Sequence, residues 1–161
     1  MKNIKKSDIF LIVALILVVV LGLFMMKGEK LGNGGTFELS YSEYVEKIEN
    51  DEKFVLVIES ATCSHCVSYM PVVKKFARGR DVKVYYVDTN NFSEDEWKSF
   101  EETNSFFELD DIKADGWGTP TTLFLSGDDA VDYIVGQTTE EELESYYDKY
   151  TEYFEKAESD K

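Results

Sequence analysis

The chain has 161 residues, and its first thirty differ in character from the rest, which leaves about 120–130 residues to fold, enough for one domain with a single core. Beyond residue 30, thirty acidic residues stand against twelve basic ones, a net charge of −18. That balance excludes nucleic acid as a partner, because phosphate binding needs concentrated Lys and Arg, and the surplus acid reads as a solvated, self-repelling surface.

Residues Ile9–Met26 form eighteen apolar or glycine positions without a charge, which at 1.5 Å per residue spans roughly 27 Å and nearly matches a bilayer core. The run exceeds the apolar region of a cleaved leader and ends in Phe24, Met25, Met26 and Lys27, without a small-residue cleavage site. A transmembrane anchor over 9–26 is therefore expected. Lys2, Lys5 and Lys6 precede it, so the positive-inside bias places residues 1–8 in the cytoplasm and the remainder outside it. Residues 27–35, rich in glycine and charge, read as a flexible linker, and the folded unit is expected over 36–157, with an acidic tail at 158–161.

Thr36–Leu39 reads as a short strand, and Ser40 with Glu43 has capping-box spacing ahead of a helix bearing Tyr41, Tyr44, Val45 and Ile48. Lys53–Glu59, a run of apolar and β-branched residues, reads as a buried strand. A helix follows from Cys63 to about Arg78, with Val67, Met70, Val73 and Phe76 as its apolar face and Gly79 as its stop. Val82–Asp88 reads as a second buried strand, and Ser93 with Glu96 caps a helix bearing Trp97 and Phe100. The stretch Thr103–Gly118 shows no regular period. Two apolar runs flanking Ser126–Asp129 form a hairpin signature, and Thr139 with Glu142 opens a last helix whose Leu143, Tyr146, Tyr147, Tyr150 and Phe154 share one face. The order β-α-β-α-β-α-β-β-α implies an α/β fold with a mixed sheet flanked by helices.

Both cysteines and the sole histidine fall within Cys63–Cys66, the sequence CSHC. A zinc site draws on about four ligands, usually from two separated pairs, and this chain offers no second pair, so no metal is expected. A structural staple closing a four-residue loop would stabilise by only about 2 kcal/mol in the chain-entropy model. A reactive dithiol fits position as well as type. Cys63 falls where a strand has ended and a helix begins, so its sulfur faces unpaired backbone N–H groups and the positive end of the helix dipole, which favours the attacking thiolate. Cys66 returns to nearly the same face and can resolve a mixed disulfide, while Ser64 and His65 between them tune the pair, His65 by adding a donor or positive charge.

At this point the sequence resembles the thioredoxin superfamily. The CxxC follows a strand and opens a helix, Pro71 lies five residues after Cys66 where the family kinks that helix, and Gly118-Thr-Pro-Thr121 precedes the terminal hairpin where the family carries its cis-proline loop. The resemblance implies a thioredoxin-like fold in which Pro120 is cis and faces the cysteines, while the backbone of Thr119 pairs with a substrate strand. It also implies thiol–disulfide exchange with protein or peptide thiols and disulfides, needing no cofactor beyond the dithiol. The sequence departs from thioredoxins proper at Thr62 and Val57, where those carry a tryptophan and a buried aspartate; Glu59, at the end of the strand, is the candidate proton relay in place of that aspartate. His65 is similar to the histidine of extracytoplasmic disulfide oxidases, although this chain has no room for their helical insertion. The pattern of a small anchored domain is also loosely similar to thioredoxin-like accessory proteins of bacteriocin export.

The reading is thus a single-pass protein of the cell membrane whose domain acts on cysteines of secreted or cell-surface proteins, with the redox direction open and a membrane redox partner as electron donor in the reductive case. The alternative is a redox-inactive module for partner binding or chaperoning. Phe106, Phe107 and Trp117 are candidates for core packing or for an apolar lip beside the site.

Overall fold

The computed structural model describes residues 33–159. The expected cytoplasmic terminus, the anchor over 9–26 and most of the linker lie outside the described residues. Among the described residues, no helix is long and apolar enough to cross a membrane.

The elements run β1 (Gly35–Glu38), α1 (Tyr41–Glu49), β2 (Lys53–Glu59), α2 (Ser64–Gly79), β3 (Lys83–Asp88), α3 (Glu94–Thr103), a 3-10 turn (Ser105–Glu108), α4 (Asp110–Asp115), β4 (Thr121–Ser126), β5 (Asp129–Val135) and α5 (Glu140–Ser159). The sheet has the order β1-β3-β2-β4-β5, parallel across β1, β3 and β2 and antiparallel across β2, β4 and β5. The expected mixed sheet flanked by helices is therefore present. β2 lies at its centre, which explains why its five middle residues are apolar without alternation: both faces are covered.

Alternate residues of β2 feed two cores. Phe54, Leu56 and Ile58 pack on one side with Tyr44 of α1, Phe100 of α3 and Phe106. Val55 and Val57 pack on the other with Tyr69, Val73 and Phe76 of α2 and Leu143 and Tyr150 of α5. The capping boxes form as expected. The Ser40 hydroxyl donates to Glu43 Oε2 at 2.6 Å and its N–H at 2.8 Å, Ser93 N–H donates to Glu96 Oε2 at 2.9 Å and its hydroxyl at 2.7 Å, and these bonds hold both carboxyls below the usual carboxylate range.

Several local expectations are corrected. Cys63 is the N-cap of α2 rather than its first helical residue, and Gly79 lies inside the helix. The turn beyond is made by Asp81 at φ 54°, a left-handed conformation that Asp tolerates better than most residues, and its carboxylate accepts from Gly34 N–H at 2.9 Å, tying the turn to the start of β1. The buried face of α2 is Cys66, Tyr69, Val73, Phe76 and Ala77, whereas Val67 is exposed and Met70 only half-buried. The true spacing alternates steps of three and four, and a strict three-residue step drifts off the contact face. The stretch 103–118 is not structureless but holds the 3-10 turn and α4, both too short to show a period. Phe106 is buried there, and Phe107 and Trp117 pack half-buried against the same core, so the aromatics serve the core.

The two valines of α2 test this assignment. Val73→Ala, at a site with 0% exposure, is expected to cost about 2 kcal/mol in urea unfolding, and Val67→Ala, at 64% exposure, to change stability by less than about 0.5 kcal/mol.

Candidate active site

β2 ends at Glu59, and the chain turns through Ser60, Ala61 and Thr62 before α2 begins. Cys63 N–H donates to the Ser60 carbonyl at 2.9 Å, and the Cys63 carbonyl accepts the first helical bond from Val67 N–H at 3.1 Å. With its backbone extended at φ −85° and ψ 119°, Cys63 places Sγ where a capping oxygen usually sits, and Sγ accepts from Cys66 N–H at 3.4 Å. The helix start thus aims a donor at the sulfur. Both cysteines are free thiols, Cys63 half-buried and Cys66 fully buried.

The second wall comes from the loop entering β4. The Thr119–Pro120 peptide bond is cis, Pro120 is buried, and its carbonyl accepts from Gly136 N–H at 2.8 Å, tying the loop to the end of β5. The Thr121 hydroxyl donates to the Gly118 carbonyl at 2.6 Å. Across this wall the Cys63 thiol donates to the Thr119 carbonyl at 3.3 Å. The structure therefore brings Cys63, Cys66, Thr119 and Pro120 together.

Hydrogen bonds set the acidity of the pair. The Cys66 thiol donates to Cys63, with further support from the Thr119 side chain and the backbone N–H groups of Cys66 and His65, and the Cys63 thiol is held down to about 7. Cys66 moves the other way: burial pushes its thiol up, and so does its role as donor to Cys63. At neutral pH the accessible sulfur is thus substantially thiolate, while the buried one keeps its proton.

The remaining expected residues sit differently. His65 is exposed, and what it supplies to Cys63 is its backbone N–H rather than its imidazole. Ser64 is the exposed first residue of α2, its carbonyl accepting from the Ser68 hydroxyl at 3.1 Å. Glu59 pairs in the sheet with Asp88, and burial together with the Asp88 and Glu38 carboxylates raises its carboxyl above the ordinary value. Its electrostatic partners are these carboxylates and Lys74, so the geometry ties it to an acidic cluster at the strand ends rather than to either sulfur. Among the described residues no group of three or more His, Cys, Asp or Glu is placed to hold a metal.

One buried contact escaped the sequence reading. Tyr69 and Thr122 share a hydrogen bond between their hydroxyls at 2.9 Å, next to fully buried Val57, the Cα partner of Thr122. A tyrosine three residues after Cys66 signals a shared helix face, but its partner on β4 could not be read from spacing.

No protein-family model matches the sequence. Among solved structures, the fold is similar to a thioredoxin from Malassezia sympodialis, with a TM-score of 0.53 and 18% identity over 76% of this chain and 96% of that one. Thioredoxin NaTrxh from Nicotiana alata gives a TM-score of 0.51 and 19% identity over 76% of this chain and 98% of the other. Thioredoxin O2 from Arabidopsis thaliana in its oxidised state gives 0.50 and 20% over 73% and 95%. Residues 33–159 have a thioredoxin-like fold.

The pH profile of alkylation by iodoacetamide checks the asymmetry of the pair. A single titration with a midpoint near 7 is expected, absent in Cys63→Ser and moved upward in Cys66→Ala, which removes the largest stabiliser of the Cys63 thiolate.

Proposed function

We propose that this chain is a membrane-anchored thiol–disulfide oxidoreductase that acts, outside the cytoplasm, on cysteines of secreted or cell-surface proteins. The observation that carries the chemistry is the split pair: an accessible Cys63 held down to about 7, stacked on a buried Cys66 pushed up, against the Thr119 carbonyl at 3.3 Å. The location rests on the apolar span 9–26 and the lysines before it.

In the reductive direction, the Cys63 thiolate attacks one sulfur of a substrate disulfide, and the second substrate sulfur leaves as thiolate and takes up a proton. The Cys66 thiol then gives up its proton, attacks Cys63 Sγ and expels the remaining substrate sulfur, which leaves a Cys63–Cys66 disulfide and a reduced substrate. Run backwards, the same steps move two electrons from a substrate dithiol to the chain. Burial of Cys66 delays its attack until the mixed disulfide has consumed the Cys63 thiolate it had been supporting. The backbone of Thr119, beside the reacting sulfur, is the edge against which a substrate strand would pair.

The Cys66→Ser variant tests chemistry and place together. It is expected to accumulate mixed disulfides through Cys63 with exported proteins, released by a reducing agent and identified by mass. The double variant Cys63→Ser/Cys66→Ser should trap none. Trapping only cytosolic proteins would overturn the location, and no difference between the two variants would overturn the chemistry.

A further inference from the structure

The two walls of the site belong to different elements: α2 carries both sulfurs, and β4 continues from the Thr119–Pro120 loop. Their relative placement therefore decides whether Cys63 meets Thr119. Tyr69 lies one helical turn beyond Cys66 on the buried face of α2, and long helical side chains lean toward the preceding turn. Thr122 lies two residues beyond Pro120, on the face of β4 that it shares with Phe124. Exposure is 1% at Tyr69 and 0% at Thr122, and the two hydroxyls bond at 2.9 Å amid Val57, Val73 and Phe124. Two buried hydroxyls in an apolar layer satisfy each other, and separating them would strand both without water.

We propose that the Tyr69–Thr122 hydroxyl bond is the positioning device of the dithiol site, locking the first turns of α2 to the Thr119–Pro120 loop and so keeping Thr119, whose carbonyl lies 3.3 Å from Cys63 Sγ and whose side chain supports the thiolate, against the sulfur. The proposal rests on the reading of Cys63 as the attacking thiol. Neither hydroxyl changes charge in the working range, since burial, with Glu142 facing from α5, pushes Tyr69 up to about 12. The lock thus has the same strength whether Cys63 is thiol or thiolate, a property a carboxylate at this place would lack. The groups facing Cys63 itself are the side chain and backbone N–H of Cys66, the side chain and carbonyl of Thr119 and the His65 backbone.

The test uses the full-length chain and reads the Cys63 titration by alkylation rate, which needs no substrate, so it stands even if the proposed exchange activity fails. Tyr69→Phe and Thr122→Val should each let the loop carry the Thr119 side chain, which supports the Cys63 thiolate, away from the sulfur and so raise the midpoint from about 7 toward the ordinary thiol value near 8.5; a rise of one unit lowers the rate at pH 7 about fivefold. The double variant should match either single one, because both remove the same bond, and Thr122→Ser, which keeps the hydroxyl, should stay near wild type. Tyr150→Phe is the control: it removes a buried hydroxyl bond from α5 to the Leu125 carbonyl, away from the site, and should leave the midpoint in place. If Tyr69→Phe does not fold, Thr122→Val against Thr122→Ser decides. An unmoved midpoint in the hydroxyl-deleting variants, or an equal rise in Tyr150→Phe, overturns the proposal.

Discussion

The sulfur of Cys63 does the work of a helix cap, and the site follows from that single substitution of chemistry. An α-helix begins with unpaired N–H groups, ordinarily met by an oxygen of Ser, Thr, Asp or Asn. Here Sγ accepts from Cys66 N–H at 3.4 Å. A neutral sulfur is a weak acceptor, whereas a thiolate is a strong one at the positive end of a helix. The helix start is therefore better satisfied by the ionised form, and the interaction that begins α2 also depresses the Cys63 thiol. Cys66 reinforces the bias by donating its own proton, which it can do because burial keeps that proton in place.

The fold serves this arrangement by fixing where α2 starts. β2, buried on both faces at the centre of the sheet, delivers the chain to Ser60, and β4, its antiparallel neighbour, delivers the cis Thr119–Pro120 loop to the opposite wall. The packing is anchored on that face by Tyr69, Val73 and Phe76 against Val57 and Phe124. The chain's heavy negative charge is managed locally. Glu43 and Glu96 are spent on capping boxes, while Glu38, Glu59 and Asp88 gather at the strand ends, where mutual repulsion and burial raise the Glu59 carboxyl. The support for the Cys63 thiolate comes from hydrogen bonds rather than from a cationic side chain, so it is little exposed to salt screening.

The sequence showed what is written in local pattern. Capping boxes at Ser40–Glu43 and Ser93–Glu96, the apolar run of β2, the Ser126–Asp129 hairpin and the Cys63–Cys66 pair all depend on neighbours within a few residues, and all stand where the pattern placed them. What failed to show was set by contacts across the chain. Val67 fits an apolar helix face by composition, yet the sheet lies under Cys66 and Tyr69, residues whose polar atoms disguise them as surface. The imidazole of His65 is the obvious tuning group in the letters CSHC, but the position at the helix start makes its backbone N–H the contributor. The Tyr69–Thr122 bond joins residues 53 apart, beyond any local signal.

If Cys63 is a moderately stabilised thiolate in a working dithiol, the equilibrium reduction potential of the full-length chain in a glutathione series, read by mass after alkylation, must reflect it. A thiol near 7 matches the ordinary thioredoxin dithiol rather than the strongly acidic thiols of powerful oxidants, and predicts a potential between about −180 and −270 mV. A disulfide that resists glutathione, below about −300 mV, would make the pair a staple, and a value near about −120 mV would require a far more stabilised thiolate than the hydrogen bonds at Cys63 provide.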